Sequence, residues 1–117
     1  MADDDAGNRR ILQRTLEGAG YEVIVCASGE EALEAWKLHH ASIALVLLDM
    51  IMPGLGGAEV LQRMVDIAPP PAALIVSGYL GDTMALADTG VPTQTLTKPW
   101  RRKVLLRRVA DLLEEHG

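Results

Sequence analysis

The feature that most constrains the fold is an aspartate at the end of a strongly apolar run. Residues 44–48 read Ala-Leu-Val-Leu-Leu, Asp49 follows, and a Pro-Gly pair comes soon after. The length of the run and its leucine and valine content are typical of a strand buried on both faces of a parallel sheet. Pro53 and Gly54 predict a turn directly beyond it. Asp49 is therefore expected at the carboxyl edge of a sheet, where open α/β folds bind their ligands.

Helical and strand-like patterns alternate along the 117 residues. Helices are predicted near 8–19, after Ser28, and at 57–66, 81–88 and 101–115, and strands at 22–27, 43–49, 73–77 and 93–97. Ser28 and Glu31 form a capping-box pattern at the start of the second helix. This order predicts one α/β domain, residues 1–117, with a doubly wound parallel sheet covered by helices on both faces.

The first strand of this pattern is truncated. A parallel sheet needs a strand before the first helix, and the chain offers only Met1-Ala2 before Asp3-Asp4-Asp5. A strand missing from the inside of the sheet would leave buried backbone groups of its neighbours without partners, at a cost of about 1–3 kcal/mol for each group. We expect residues upstream of Met1, or else a segment of a partner, to fill the gap, and we favour the former.

Composition narrows the functional classes. The net charge of −5 argues against direct binding of nucleic acid. The sequence has no apolar stretch near the ~20 residues of a membrane span, and its acidic beginning is unlike a signal peptide. The lone Cys26 cannot form an internal disulfide, so a reducing cytoplasm is the predicted compartment.

Polar side chains follow several of the predicted strands, and the carboxyl ends of parallel strands share one edge of a sheet. Asp3 and Asp4, Asp49, Ser77 and Lys98 are expected to gather there. Clustered carboxylates repel one another, and Mg²⁺ relieves the repulsion. A carboxylate can also attack phosphorus and form an aspartyl phosphate, while a lysine and a hydroxyl stabilise the phosphoryl oxygens. The set fits phosphoryl transfer.

In these residues the chain resembles the receiver domain of two-component response regulators. The matching motifs run in order over essentially the whole length: Asp3-Asp4, Asp49-x-x-Met52-Pro53-x-x-x-Gly57, Ser77-Gly78 and Lys98-Pro99. The resemblance implies a flavodoxin-like fold with five strands in the order 2-1-3-4-5 and five helices. It also implies a phosphorelay module that accepts phosphate from a phosphohistidine of a histidine kinase or a phosphotransfer protein, and that catalyses only its own phosphorylation and dephosphorylation.

The resemblance further implies a role for each residue. Asp49 would be the phosphoacceptor, and the Mg²⁺ ligands would be Asp3, partly through water, Asp4, Asp49 and the backbone carbonyl of Ile51. Ser77 would bind the phosphoryl group and report its presence. Lys98 would pair with a phosphoryl oxygen, or with Asp49 before phosphorylation.

Two departures from the receiver pattern predict altered behaviour. Thr95 stands where receivers often carry a tyrosine or phenylalanine that moves on phosphorylation, so we expect the response to travel through a small shift of the Ser77 loop and the short helix at 81–88. Ile51 and Tyr79 stand at the positions that control access of water to the acceptor. Both are bulky, and neither orients water well, so slow autodephosphorylation is expected.

Other interpretations stay open at this point. The Ser-Gly-Tyr run suggests a receiver module excised from a hybrid sensor histidine kinase. A haloacid-dehalogenase-type phosphatase uses similar groups, but its nucleophile precedes its acidic pair and a second aspartate normally stands where this chain has Ile51. A receiver-like docking module without phosphorylation is a third reading. The basic residues of the last helix are either a solvated face or, with the preceding helix, a homodimer surface.

Overall fold

The computed structural model describes residues 1–3, 5–50, 54–77, 90–97 and 100–116. The helices are α1 (Ala6–Gly18), α2 (Gly29–His39), α3 (Gly57–Ile67) and α4 (Arg102–His116), with a 3₁₀ turn at His40–Ser42. The strands are β1 (Val46–Asp49), β2 (Ala73–Ser77) and β3 (Thr93–Thr97). The helix predicted at 81–88 lies outside the described residues.

The sheet is parallel and has the predicted strand order. β2 lies between β1 and β3 and pairs in parallel with both. On the other side of β1, Ala2 forms one parallel bridge with Leu48 and another with Cys26. The spatial order is therefore the Cys26 segment, the Ala2 segment, β1, β2 and β3, which confirms the order 2-1-3-4-5.

Two predicted strands are shorter than the sequence indicated. In the segment 22–27 Cys26 forms a bridge with Ala2, and the carbonyl of Ile24 accepts from the Met1 ammonium at 2.6 Å, but no regular strand is present. The predicted strand 43–49 begins only at Val46. Its neighbour β2 starts at Ala73, two residues after the last of the prolines at 69–71, and a proline cannot donate to a ladder.

Two aliphatic cores lie on opposite faces of the sheet. Alternate strand residues point to opposite faces, so Leu48 and Ile75 join the core under α2 and α3, whereas Leu47 and Leu74 join the core under α1 and α4. Trp36 of α2 is buried, and its indole N–H donates to the carbonyls of Met64 (3.2 Å) and Ala68 (3.0 Å). The cores hold the sheet edge rigidly from both sides.

The helix starts follow the predicted capping chemistry. Ser28 caps α2, and its hydroxyl accepts from the Glu31 N–H at 3.2 Å. In a capping box the Glu31 carboxylate would accept from the N–H of Ser28. Here it accepts instead from the N–H of the preceding residue, Ala27, at 2.7 Å. Asp5 caps α1 in the same way, with its carboxylate accepting from the N–H of Asn8 at 3.0 Å.

Within the described part of the chain, none of the helices has the length and apolar character needed to cross a membrane.

A cavity of about 380 Å³ continues the line of the truncated first strand. Its lining includes Met1, the segment around Val23 and Ile24, and Leu45 and Leu47. The first strand is therefore present only as the short stretch that reaches the functional edge, as the sequence indicated.

Candidate functional site

Asp49 occupies the carboxyl end of β1 and is 5% exposed. Its N–H donates to the carbonyl of Ala2 at 2.9 Å, and the N–H of Met50 donates to the carbonyl of Val76 at 2.9 Å. Both neighbouring strands therefore hold the backbone on either side of the carboxylate. The position matches the one predicted from the apolar run.

Asp3 lies on the adjacent strand at the same edge and is 1% exposed. The backbone N–H of Asp3 donates to the carbonyl of Cys26 at 3.2 Å, and its Oδ1 accepts from the N–H of Asp5 at 2.9 Å. Two buried carboxylates, Asp3 and Asp49, thus stand on neighbouring strands. Asp5 is exposed and serves as the helix cap, whereas Asp4 lies outside the described residues.

The ends of β2 and β3 complete the edge. Asp49 is in register with Val76, and Ser77 is in register with Thr97. The backbone therefore brings Ser77 next to the Asp49 end of β1, and Lys98 follows directly after Thr97. The side chain of Ser77 and the whole of Ile51, Tyr79 and Lys98 lie outside the description, so their predicted roles remain predictions.

Gly57 packs directly against the backbone of the candidate acceptor. Its N–H donates to the carbonyl of Met50 at 3.0 Å, and a Cβ at this position would lie 2.5 Å from the carbonyl oxygen of Asp49. A side chain here would collide with backbone that cannot move without shifting Asp49. The glycine of the predicted motif is thus required by the close approach of α3 to the end of β1.

The described residues fit a hard divalent cation in part. Mg²⁺ prefers one or two carboxylates, with water and phosphate oxygens in the remaining positions. Buried Asp3 and Asp49 on adjacent strands supply two such carboxylates. Among the described residues no group of three His, Cys, Asp or Glu side chains forms a metal cluster, as expected when Asp4 lies outside that set.

Two further predicted features lie away from this edge. Thr95 is half-buried in the middle of β3, and its carbonyl accepts from the Arg108 guanidinium at 3.4 Å. Arg108 also donates to the side chain of Gln94 at 3.3 Å. Arg108 therefore binds β3. The other four basic residues of the last helix region are exposed: Arg101, Arg102, Lys103 and Arg107.

Sequence reasoning missed one residue at the site. The Arg9 guanidinium, on the second turn of α1, donates through Nη1 to the backbone carbonyl of Asp3 at 2.9 Å. A single arginine in an otherwise ordinary amphipathic helix carries no motif of its own. The sequence shows only that Arg9 comes six residues after Asp3. Whether that spacing brings the two residues into contact depends on the conformation of the chain before α1, which the sequence alone does not give.

Burial sets the chemistry of the neighbouring Cys26. Burial raises the pKa of this thiol above its ordinary value of about 8.5; the Met1 ammonium opposes the change and Glu31 adds to it. Burial also lowers the pKa of the Met1 ammonium. Cys26 is therefore a protonated, inert core residue at neutral pH.

The raised pKa of Cys26 predicts a specific alkaline instability. The folded state disfavours the thiolate of Cys26. The contribution of the protonated thiol to the free energy of unfolding is therefore complete below about pH 8.5, and it is lost as the pH rises through the higher pKa of the folded state. We expect the free energy of unfolding to fall more steeply above pH 8.5 in the parent than in Cys26→Ala. Urea denaturation from pH 7 to 10 measures this, and parallel curves for the two proteins would contradict it.

The comparisons with known proteins agree with this geometry. The model of the family described as response regulator receiver domain matches residues 1–110. The chain is 35% identical to a probable transcriptional regulator, ycf27, of Cyanophora paradoxa, over 97% of this chain and 46% of that protein. It is 30% identical to the response regulator receiver protein CpdR of Brucella abortus, over 97% of this chain and 93% of that one. The chain spans about half the length of the first curated relatives it matches.

Solved structures show the same fold. A CheY-like response regulator receiver domain from Methanospirillum hungatei superposes with a TM-score of 0.87 at 26% identity, covering 98% of this chain and 91% of that one. The receiver domain of the hybrid histidine kinase CckA superposes with a TM-score of 0.82 at 30% identity, covering 96% and 94%. The flavodoxin-like arrangement predicted from the motifs is therefore confirmed.

Proposed function

Because the chain belongs to the response regulator receiver domain family, we propose that it accepts a phosphoryl group on Asp49 in a Mg²⁺-dependent reaction with a phosphohistidine donor. One observation carries the proposal: the buried carboxylates of Asp49 and Asp3 stand side by side at the carboxyl edge of the sheet. Burying two carboxylates on adjacent strands is costly, and a bound divalent cation would offset that cost.

The chain's own groups supply most of what the reaction needs. A carboxylate oxygen of Asp49 forms a bond to phosphorus while the phosphorus–nitrogen bond of the donor breaks, and the imidazole leaves with its electron pair. The hydrogen bonds from Asp49 and Met50 to the neighbouring strands fix the direction of attack. Mg²⁺, held by Asp3, Asp4, Asp49 and the Ile51 carbonyl, would neutralise phosphoryl charge. Ser77 and Lys98 would bind the phosphoryl oxygens.

The phosphate analogue beryllofluoride tests this assignment. With Mg²⁺ present, beryllofluoride is expected to shift the amide NMR signals around Asp49 in the parent protein and to leave Asp49→Ala unchanged. Asp66→Ala, which removes an exposed carboxylate from α3, is the matched control and should respond like the parent. A parent that is folded and does not respond to beryllofluoride and Mg²⁺ would contradict the proposal and would favour a docking module.

The same titration follows the proposed switch. Since Thr95 provides no aromatic ring, we propose that phosphorylation reaches the partner-binding surface through the Ser77 loop and residues 81–88. Shifts should therefore extend along both segments. Shifts confined to the loop after Asp49 would contradict this route.

Slow loss of the phosphoryl group is expected because Ile51 and Tyr79 are both bulky and neither is an efficient orienter of a hydrolytic water. Ile51→Asn should shorten the lifetime of the aspartyl phosphate about tenfold. The decay of phosphorylated protein after removal of the donor measures it. A parent lifetime of only seconds would contradict the expectation.

The partners follow from the reaction. We propose a histidine kinase or a histidine phosphotransfer protein as donor, in a reducing cytoplasm, with the last two helices as a homodimer surface. The likeness to the CckA receiver supports a second context, in which the chain is part of a hybrid sensor kinase. A coding sequence that joins this domain to a kinase core would distinguish that context from a separate regulator.

A further inference from the structure

The N–H, the Oδ1 and the carbonyl of Asp3 each form a hydrogen bond, and one of these bonds is donated by a charged side chain. Its N–H donates to Cys26, its Oδ1 accepts from the N–H of Asp5, and its carbonyl accepts from Nη1 of Arg9 at 2.9 Å. The first two contacts are made by backbone groups of the strand and the turn. Of these three contacts, the third is made by a side chain, so a substitution of Arg9 can remove it.

We propose that Arg9 is a positioning residue for Asp3, and this inference rests on the proposed Mg²⁺-dependent phosphorylation of Asp49. By binding the carbonyl of Asp3, the guanidinium holds the backbone of Asp3 at the edge of the sheet. That backbone sets the position of the Asp3 carboxylate beside the Asp49 strand end. Arg9 acts through this backbone group and does not need to touch the metal or the phosphoryl group.

The position of Arg9 makes it suited to this role. Its backbone N–H donates to the carbonyl of Asp5 at 2.9 Å, so the residue belongs to the regular part of α1. The same Asp5 caps the helix and donates its N–H to Asp3. Asp3, Asp5 and Arg9 are therefore linked to one another by hydrogen bonds, and the half-buried Arg9 side chain extends from the regular part of the helix.

Two effects of removing Arg9 have opposite signs. Loss of a positive charge near two buried carboxylates would strengthen the binding of a divalent cation. Loss of the hydrogen bond that orients the turn would weaken it, as removal of outer-shell partners of metal ligands does by tenfold or more. If Arg9 is a positioning residue, the second effect dominates. The direction of the change in Mg²⁺ affinity therefore separates positioning from simple electrostatics.

The test compares Arg9→Gln, Arg9→Lys and Arg10→Gln with the parent 117-residue chain. Arg10 is exposed on the same helix, so its replacement removes the same charge without the contact to Asp3. Mg²⁺ affinity is measured by calorimetric or NMR titration without any phosphodonor, and thermal unfolding checks that each variant is folded. Phosphorylation by acetyl phosphate is measured separately.

We expect Arg9→Gln to weaken Mg²⁺ binding about tenfold. Arg9→Lys, which keeps the charge and one donor, should recover part of the loss, and Arg10→Gln should stay within about twofold of the parent. Unchanged or tighter Mg²⁺ binding in folded Arg9→Gln would overturn the inference while leaving the proposed function intact. A parent chain that neither binds Mg²⁺ nor becomes phosphorylated would overturn the proposed function, and the inference with it.

Discussion

Replacing Gly57 by alanine is expected to destabilise the domain by about 3 kcal/mol and to slow phosphorylation about a hundredfold. The added Cβ would lie 2.5 Å from the carbonyl oxygen of Asp49 and 3.1 Å from its carbonyl carbon. These are backbone atoms tied to both neighbouring strands, so the conflict cannot be relieved by turning a side chain. Overpacking of this kind costs about 1–3 kcal/mol, at the upper end when backbone must move.

The functional loss follows from the same displacement. A shift of about 1 Å in a reacting group lowers the rate of a positioned reaction about a hundredfold. Thermal unfolding should show a fall in Tm of about 12 °C for a chain of this size. Gly18→Ala is the matched control, because a Cβ there meets only the Arg102 guanidinium at 3.8 Å. A Gly57→Ala protein with parental Tm and parental phosphorylation would contradict the packing described.

A short apolar extension before Met1 is expected to raise Tm by about 12 °C. The cavity of about 380 Å³ lies in line with Met1–Ala2, between two backbone segments that run parallel to it. The N–H of Ala2 donates to Leu47 and that of Met1 to Ile24. In a parallel ladder alternate residues face the same side, so the polar groups of Leu45 also face the gap.

A Val-Ile-Val-Val extension would therefore continue both ladders and fill the cavity. Each buried aliphatic side chain contributes about 1.5–3 kcal/mol, and ordering each residue costs about 1–2 kcal/mol for the backbone plus a smaller side-chain term. With about 1 kcal/mol for each new hydrogen bond, the net gain is about 3 kcal/mol. A Gly-Ser extension of equal length is the control. Equal Tm values for the two extended chains would show that the cavity does not accept a strand.

The alternation of patterns was sufficient to predict the layers, whereas the strand order followed from the resemblance to receiver domains. Leu47 and Leu48 illustrate why: an apolar strand buried on both faces must have helices on each side, and short connections leave few topologies. The limits of the strands were harder to predict. Val23 and Leu45 have strand-forming neighbours in sequence, but pairing also requires a partner strand. Among the described residues, the short Met1–Asp3 segment forms bridges with Cys26 and Leu48, near the carboxyl edge of the sheet, and forms none with Val23 or Leu45.

The candidate site also contains residues whose positions the sequence predicts and contacts that it does not predict. Asp49 and Asp3 were predictable because a strand end fixes the position of the residue that follows the apolar run. The close approach of Gly57 to Asp49 and the contact of Arg9 with Asp3 were not, since both depend on how a helix packs against the sheet edge. Glycine and arginine have many uses in helices, and only the tertiary contact reveals which one applies.

Phosphorylation mapping tests the central claim most directly. The parent chain is incubated with acetyl phosphate with and without Mg²⁺, and the product is analysed by intact mass and by mapping after borohydride trapping of the acyl phosphate. The account predicts one phosphoryl group per chain, on Asp49, formed only with Mg²⁺, absent in Asp49→Asn and retained in Asp66→Asn. Equal phosphorylation of Asp49→Asn, or none in the folded parent with donor and Mg²⁺ in excess, would contradict it.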